Sequence, residues 1–212
     1  MTFTPPLKDC NFCQRLCAFR AENRQKYQTY HNAPVPSFGD LTAEILIVGL
    51  APGLHGANQT GRPFTNDYAG NILYPALKEH GFAKGDYQKR KDDGFELINV
   101  RITNAVRCVP PQNKPLPAEE KNCRAFLSSE ITAMPNLKVI LCLGAISHKN
   151  VLQALNLKQS AAKFTNGAVH RLKEPPYIII DSYHTSRYNI NTGVLSYQMF
   201  SETIKKLQGL LK

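Results

Sequence analysis

Four of the six cysteines in this 212-residue chain have a spacing that could hold a metal centre. Cys10 and Cys13 form a C-x-x-C pair, and fourteen residues separate Cys108 from Cys123, enough for a loop and a helical turn to bring them together. Four thiolates suit either tetrahedral zinc or an iron–sulfur cluster, and the spacing does not choose between them. Cys17 could replace Cys10 or Cys13, but one helical turn after Cys13 it is expected to be a packed neighbour.

Polar side chains that could bind a ligand follow two apolar runs. Asn104 comes just after the run 96–102 and can present a donor and an acceptor to one planar edge, although a turn residue is the commoner explanation. His184 follows the run 177–181 in a loop with hydroxyls, amides and an arginine. The segment 49–67 has four glycines and two prolines, so a ligand could approach its main chain, but it lacks the Gly-Lys-Ser/Thr ending of a phosphate loop.

The elements that must position these residues alternate along the chain. Four apolar runs rich in Ile and Val predict strands buried on both faces, and four segments with helical spacing lie between or after them. The predicted strands cover 44–50, 96–102, 138–144 and 177–181, and the predicted helices start near 69, 117, 145 and 195. This order predicts an α/β sandwich with a mostly parallel sheet, in which ligands bind beyond the carboxyl ends of the strands. Cys142 lies inside a strand run and is interpreted as a small buried hydrophobe.

The chain is strongly basic. Its 26 Lys and Arg against 16 Asp and Glu give a formal charge of +10, which favours a polyanionic partner or only keeps the protein soluble. There is no Trp, so stacking on bases would use Phe, Tyr or His. We see no apolar run long enough for a membrane span and no secretory signal, so we expect a cytoplasmic protein with reduced thiols.

Four separated motifs, in this order, carry a resemblance to a known family. They are Gly49-Leu50-Ala51-Pro52-Gly53, Gly61-Arg62-Pro63-Phe64-Thr65, Thr103-Asn104-Ala105-Val106-Arg107-Cys108 and His184-Thr185-Ser186-Arg187-Tyr188-Asn189. Together they resemble the iron–sulfur branch of the uracil-DNA glycosylase superfamily. The insertion 55–58, the loop 110–115 and residues 189–193 are more similar to family 5 (B-type) than to family 4.

The resemblance implies a three-layer αβα sandwich around a four-stranded parallel sheet. It implies one domain over 1–212, in which residues 1–20 contribute two cluster cysteines. It also implies a structural 4Fe–4S cluster, with zinc as the alternative, on the four cysteines Cys10, Cys13, Cys108 and Cys123. The proline-rich loop between the last two would be fixed by this centre and could face DNA.

The resemblance also implies roles for the residues at the strand ends. The predicted base-binding residues are Gly49, Ala51, Pro52, Gly53, Phe64, Asn104 and His184. Phe64 would stack on a flipped base, Asn104 would bind its edge, and His184 would stabilise the departing base as an anion. Asp67 is the available acid for orienting water or stabilising the cation, with Asn58 in reserve; the alternative for Asp67 is the N-cap of the helix near Ala69.

A loop over 184–193 would enter the minor groove, with Arg187, Tyr188 and Asn189 as the DNA-binding residues. Two positions depart from the family pattern. Thr185 stands where the family usually has Pro, so the loop could be more mobile or differently set. Asn66 stands where the family commonly has Gly.

These features predict a monofunctional DNA-repair glycosylase that flips out and excises uracil, with hypoxanthine and other deaminated bases as further candidates. Its partner would be duplex DNA with a damaged base, and we expect a monomer in a prokaryotic cytoplasm, associated with the nucleoid. Two alternatives remain: a metal-stabilised DNA-binding protein without catalysis, and an α/β hydrolase or nucleotide-binding enzyme that uses the glycine segment for phosphate.

Overall fold

The four predicted strands form the centre of the fold. A computed structural model describes residues 3–211; Met1, Thr2 and Lys212, which the sequence assigned to the same domain, lie outside the described residues. The strands are β1 (Ile45–Gly49), β2 (Ala83–Lys84), β3 (Glu96–Leu97), β4 (Val100–Asn104), β5 (Val139–Leu143), β6 (Val169–Arg171) and β7 (Ile178–Ser182). The main sheet has the order β4-β1-β5-β7-β6. Its first four strands are parallel, and β6 pairs antiparallel with β7 at the edge. The sheet therefore has five strands rather than the expected four.

The second predicted strand is divided in two. Residues Glu96–Leu97 leave the main sheet and pair antiparallel with Ala83–Lys84. Asn99 then adopts a left-handed backbone conformation with φ of 57°, which interrupts the strand. Strand β4 begins at Val100, so it continues past the predicted end, and Asn104 is its last residue.

The four predicted helices are present, and three more flank the sites described below. The helices are α1 (Gln14–Lys26), α2 (Ala57–Thr60), α3 (Gly70–Glu79), α4 (Pro117–Ala133), α5 (Ala145–Ala154), α6 (Arg187–Asn191) and α7 (Tyr197–Leu210). Within residues 3–211, no helix is long and apolar enough to cross a bilayer.

Helices cover both faces of the sheet, which gives the three layers expected from the sequence. Alternate residues of β1 enter opposite cores: Ile45 and Ile47 pack with the apolar side chains of α3 and α7, while Leu46 and Val48 pack with those of α4 and α5. All four side chains are fully buried. This two-sided burial explains why the strands are continuous apolar runs without polar alternation.

A buried ion triad joins β4 to α4. The two carboxylate oxygens of Glu130 accept from Arg101, at 2.6 Å, and from Arg107. Arg107 also donates to Ser37 at 2.7 Å. Glu130 is fully buried, and burial raises its pKa, but the charges of the two arginines and hydrogen bonds from Ser37 and Arg101 outweigh burial and leave the pKa lowered.

We predict that Glu130→Ala destabilises the protein by about 3–5 kcal/mol, because two arginines then stay buried without a counter-charge. The measurement is the midpoint of denaturant unfolding. The matched control is Glu96→Ala, which removes an exposed ion pair with Lys84 and should shift stability by less than about 1 kcal/mol. Equal decreases in the free energy of unfolding for the two variants would contradict the proposed contribution of the triad to stability.

Candidate active site

A cavity of about 350 Å³ opens at the carboxyl ends of the parallel strands. It is lined by Leu50, Ala51, Pro52, Gly53, Ala57, Phe64, Asp67, Tyr68, Ala69, Asn104, Asn113, His184, Ser186 and Arg187. The predicted base-binding residues therefore share one space, except for Gly49, which lies beneath it. A volume of this size is at the lower end of the range for small-ligand pockets.

Phe64 and Asn104 meet over Gly49. A Cβ at Gly49 would lie 2.5 Å from both the Phe64 ring and the Asn104 Oδ1 atom, so only glycine leaves room for them. Phe64 has φ of 57°, which is uncommon for a bulky residue and indicates a conformation that the surroundings impose. The ring centroids of Phe64 and His184 are 6.1 Å apart.

Arg62 fixes the backbone of the Phe64 segment. Its guanidinium donates to both oxygens of Asp93 at 2.8 Å and to the Thr65 hydroxyl at 2.7 Å, and it lies over the ring of Tyr74. Burial raises the pKa of Asp93, but the hydrogen bonds from Arg62 and from two backbone N–H groups lower it to about 2. The hydroxyl of Tyr87 donates to the Phe64 carbonyl at 3.3 Å and accepts from the Asn66 N–H at 3.1 Å.

The side chains of Asn104 and His184 have no hydrogen-bond partner among the described residues, although Asn104 is only 4% exposed. Their donors and acceptors are therefore available to a ligand in the cavity. Burial lowers the pKa of His184 to about 4, so the imidazole is neutral at physiological pH. A neutral imidazole can donate a hydrogen bond without introducing a positive charge.

Asp67 lines the same cavity and does not cap α3. The residue preceding α3 is Ala69, which makes no side-chain cap, so the N-cap interpretation of Asp67 is wrong. The carboxylate instead accepts the N–H of Ala57 at 3.0 Å and that of Gly53. Burial raises the pKa of Asp67, and these two backbone donors partly oppose the rise.

The reserve candidate Asn58 lies outside the cavity lining. Its side-chain amide donates to the Asn32 side chain at 2.9 Å, and the residue is buried.

The backbone conformation explains why Asn is found at position 66. Its φ of 62° is in the left-handed region, where Gly fits best and Asn is the commonest substitute.

The loop after β7 is held firmly at its base. The Thr185 hydroxyl donates to the Ala69 carbonyl at 3.3 Å, and the residue is buried, so a hydrogen bond stands where the family usually has a proline ring. The side chain of Asn189 donates to the His184 carbonyl at 2.7 Å. Asn189 therefore positions His184. Tyr188 is 73% exposed, so its ring is accessible from solvent. The Arg187 guanidinium lies over the Tyr68 ring at 5.2 Å.

Several lining residues were not expected from the sequence. Tyr68 directly follows Asp67, and Ser186 caps α6 by accepting the Asn189 N–H at 3.3 Å. Asn113 belongs to the proline-rich loop and has φ of 57°. Its position between Cys108 and Cys123, two of the predicted metal ligands, was the one sequence feature that indicated that this loop could reach the site.

The four predicted metal-ligating cysteines line a second cavity, shared with Cys17. No disulfide joins them. Three of the sulfurs accept hydrogen bonds: Cys123 from the Arg107 N–H at 3.3 Å, Cys108 from Arg20 at 3.7 Å, and Cys13 from Asn122 at 3.7 Å. Polar donors around converging sulfurs are typical of thiolates that hold a cluster.

Cys17 accepts a hydrogen bond from Arg20 at 3.6 Å, as Cys108 does. Its thiol also donates to the Cys10 carbonyl at 3.2 Å, which fits a protonated neighbour of the centre rather than a ligand. Burial raises the pKa of Cys108 to about 12 and that of Cys123 to about 11, and the nearby thiols add to the rise at both. A bound metal centre would supply the positive charge that thiolates need here.

A second group of ligand-type side chains lies elsewhere in the fold. The donor atoms of Cys142, His148 and Asp181 lie within 4.8 Å of one another. Both nitrogens of His148 are already occupied, by Asp181 Oδ1 at 2.7 Å and by the Ala162 carbonyl at 2.9 Å. Burial lowers the pKa of His148, but these hydrogen bonds leave it raised, as expected for an imidazolium–carboxylate pair. The group therefore serves as a structural link between α5 and β7.

Comparisons with known proteins agree with this geometry. Residues 36–208 match the model of the uracil DNA glycosylase superfamily. The chain is 41% identical to a type-5 uracil-DNA glycosylase of Thermus thermophilus, covering 98% of each chain. It is 36% identical to a type-5 enzyme of Pyrobaculum aerophilum, over 96% of this chain and 90% of that one. A type-4 uracil-DNA glycosylase of Sulfurisphaera tokodaii is 31% identical, over 87% of this chain and 78% of the other.

We predict that His184 stays neutral from pH 8 down to pH 5, because burial holds its pKa near 4. A pH titration of the histidine side chains by NMR measures this, with His184→Gln to assign the resonance. His148, whose pKa is raised, serves as the internal comparison and should gain its proton at a higher pH than an exposed histidine. A His184 midpoint near 6.5 would contradict the desolvated environment.

We predict that Cys108→Ser removes the metal centre, since three sulfurs cannot complete a four-thiolate site. Iron and acid-labile sulfide per chain, and the visible absorption, are the measurements. Cys17→Ser is the matched control and should retain both iron and sulfide. Zinc in stoichiometric amount without sulfide in the wild type would exclude the iron–sulfur expectation.

Proposed function

Because this chain belongs to the uracil-DNA glycosylase superfamily, we propose that it is a monofunctional DNA-repair glycosylase that hydrolyses the N-glycosidic bond of uracil in DNA. The observation that carries the proposal is a cavity in which an aromatic face, an unpaired carboxamide and a neutral imidazole meet a buried carboxylate. A base inside a duplex cannot reach such a cavity, so the nucleotide has to be flipped out of the stack.

Base recognition follows from two side chains. The ring of Phe64 offers a stacking surface, and base–aromatic stacking contributes about 1–3 kcal/mol. The carboxamide of Asn104 donates to one uracil carbonyl and accepts from the ring N–H. Cytosine would place an amine against the carboxamide donor, which leaves a buried group unpaired, so Asn104 favours uracil.

Cleavage of the N-glycosidic bond creates a positive charge on the sugar and a negative charge on the base, and the cavity has a group that can stabilise each of them. The sugar becomes an oxocarbenium-like cation while the base leaves as an anion. His184, neutral and held through its own carbonyl by Asn189, donates to the uracil carbonyl on which negative charge develops. The backbone N–H of Ala51, which lines the cavity, assists, because Pro52 has no N–H and that of Gly53 is bonded to Asp67.

Asp67 acts on the other side of the bond. An ionised carboxylate has about four acceptor positions, and Gly53 and Ala57 use two of them. The remaining positions can orient the attacking water and stabilise the cation. No lysine is present among the described residues that line the cavity, which supports hydrolysis without a Schiff-base intermediate and without strand cleavage.

The cavity also accommodates deaminated purines in this proposal. Its wall at Ala51, Pro52 and Gly53 has no bulky polar side chain, and a volume of about 350 Å³ leaves space beyond a pyrimidine. Hypoxanthine presents a carbonyl beside a ring N–H, as uracil does, so Asn104 can bind the same pattern.

Cys10, Cys13, Cys108 and Cys123 would hold the metal centre, for which we propose a 4Fe–4S cluster. When bound, the cluster supplies a structural cross-link between the N-terminal segment and the loop that carries Asn113, and the chemistry of base removal involves the other cavity.

The DNA partner is proposed to be a duplex with a damaged base, bound by a monomer in the cytoplasm near the nucleoid. The expected loop 184–193 contains helix α6, and Arg187 and the exposed Tyr188 at its start would contact the DNA where the base leaves the stack. The phosphate-binding alternative is disfavoured because the Asp67 carboxylate already occupies the N–H groups of Gly53 and Ala57 that a phosphate would need. The non-catalytic alternative gives no reason for the unpaired Asn104 and His184.

The test of the proposed function is single-turnover base excision. Duplexes with uracil, hypoxanthine or only ordinary bases are incubated with excess protein, and abasic sites are revealed by alkaline cleavage. We expect excision from the first two and none from the third. Asp67→Asn should slow uracil excision by about a hundredfold or more, whereas Asp92→Asn, an exposed acid on a surface loop, should not. Absence of excision from every duplex would overturn the proposal.

We predict that Asn104→Ala lowers the rate of uracil excision by about a hundredfold, because it removes a hydrogen-bonding group that fits the transition state. DNA affinity, measured by fluorescence anisotropy, should change little. Asn136→Ala removes an exposed amide at the opposite end of the sheet and is the matched control. Wild-type activity that is equal on uracil and cytosine duplexes would refute the assigned role of Asn104.

A further inference from the structure

A group of aromatic side chains lies beside the loop that forms one wall of the active-site cavity. Tyr27 and Tyr30, which follow α1, stack with ring centroids 4.9 Å apart and an interplanar angle of 14°. The exposed His55 meets both rings edge-on, at 5.4 and 6.0 Å. We call Tyr27, Tyr30 and His55 the aromatic platform. His55 is three residues from Pro52, which lines the cavity.

His55 is held in one orientation although it is exposed. The Tyr30 hydroxyl lies 3.1 Å from His55 Nδ1, and Asn66 donates to the His55 carbonyl at 2.9 Å. When the hydroxyl donates to Nδ1, the proton of the neutral ring is on Nε2. No described residue accepts a hydrogen bond from Nε2, so this N–H is available to an outside partner.

Positive charge surrounds the platform. The ammonium group of Lys26 lies 5.3 Å from the centre of the Tyr27 ring. Burial lowers the pKa of His31, the residue after Tyr30; the hydrogen bond to the Pro34 carbonyl opposes this, and the charges of Lys91, Lys8 and Arg24 lower the pKa further. Arg24 is paired with Asp9 at 2.7 Å.

Lys8, Lys26 and Lys91 are exposed, and none of them forms an ion pair within the described part of the chain. Their charge is therefore not compensated by the protein. An anionic partner that carries several regularly spaced charges fits such a surface better than a single small anion does.

The positions of the two surfaces around the cavity suggest what this partner is. Ser186 and Arg187 line one part of the cavity, and Pro52 and Gly53, which directly precede the segment with His55, line another. A duplex that delivers one nucleotide into the cavity has to continue on both sides of it. We propose that His55, Lys26 and Lys91 bind backbone phosphates of the DNA next to the flipped nucleotide, and that Tyr27 and Tyr30 position His55; this inference rests on the proposed function.

The first test is the salt dependence of binding to a duplex with a stable abasic-site analogue, using the full protein with its metal centre. Each lost phosphate contact should lower the slope of log affinity against log salt by about 0.9. Lys26→Ala and Lys91→Ala should show this decrease, with affinities lower by about twofold to fivefold. The matched control is Lys205→Ala, an exposed lysine on α7, which should leave the slope unchanged.

The second test separates the positioning role of Tyr30 from the fold. Tyr30→Phe keeps the ring and removes the hydroxyl that holds His55, so it should weaken DNA binding nearly as much as His55→Ala, and the double variant should add little. Tyr197→Phe loses a comparable exposed hydroxyl, bonded to Glu79 at 2.7 Å, and should bind DNA normally. Independent, additive losses for Tyr30→Phe and His55→Ala would contradict the positioning role.

The third test locates the contact on the DNA. Methylphosphonates neutralise single phosphates on either side of the abasic analogue. Neutralisation at the contacted position should weaken the wild type and leave the affinity of His55→Ala unchanged. Equal weakening of both proteins at every position would overturn the inference.

The outcomes distinguish this inference from the proposed function. If the wild type excises uracil and the platform variants bind DNA with unchanged slope, the phosphate contact is wrong and the glycosylase activity stands. If the wild type excises no base but the variants still lower the slope, the platform binds DNA and the proposed function fails. At saturating protein, the single-turnover excision rate of the platform variants should equal that of the wild type, because their side chains lie outside the cavity lining.

Discussion

The buried pair between Arg62 and Asp93 is the interaction on which the active-site geometry depends. Both side chains are almost inaccessible, with exposures of 5% and 0%, and two parallel hydrogen bonds join them. Because the next residues along the chain lead to Phe64 and Asp67, fixing Arg62 fixes the stacking ring and the acid together. Without that anchor, Phe64 would have no reason to keep a left-handed backbone conformation, which costs about 1–2 kcal/mol.

The cysteine cavity and the base-binding cavity are joined by a continuous buried structure. The Arg107 N–H contacts the Cys123 sulfur, and the Arg107 side chain shares Glu130 with Arg101 of β4. The same strand ends at Asn104, only three residues before Arg107. The cysteine cavity therefore lies apart from the cavity with Asn104, yet a metal centre held by these cysteines would restrain the strand that ends at this residue.

The fold could be predicted well from the sequence because its strands are buried on both faces, and this produces an unmistakable apolar pattern. Helix α1 could not, since it buries Arg20 and Asn23 together with Leu16 and so has no apolar stripe. Asn104 and His184 could be predicted because they follow strands, and Phe64 and Asp67 came from the family resemblance, whereas Tyr68, Ser186 and Asn113 were not expected. The position of Asn58 outside the cavity lining could not be predicted, because its pairing with Asn32 depends on a contact between distant segments that no local pattern records. The interpretation of Asp67 as a helix cap was wrong, because its contact with the Ala57 N–H also depends on the folded arrangement of two segments and not on a local pattern.

The contact between Asp67 and two glycines has a consequence for how this site can change in evolution. A Cβ at Gly53 or Gly56 would come within 2.3 or 1.9 Å of the carboxylate, so another residue at either position would displace the acid from its present place. Asp67→Glu would bring the longer side chain against the same two glycines. The three positions therefore have to vary as a unit: a lineage that abandons this acid is free to alter both glycines, and one that keeps it is not.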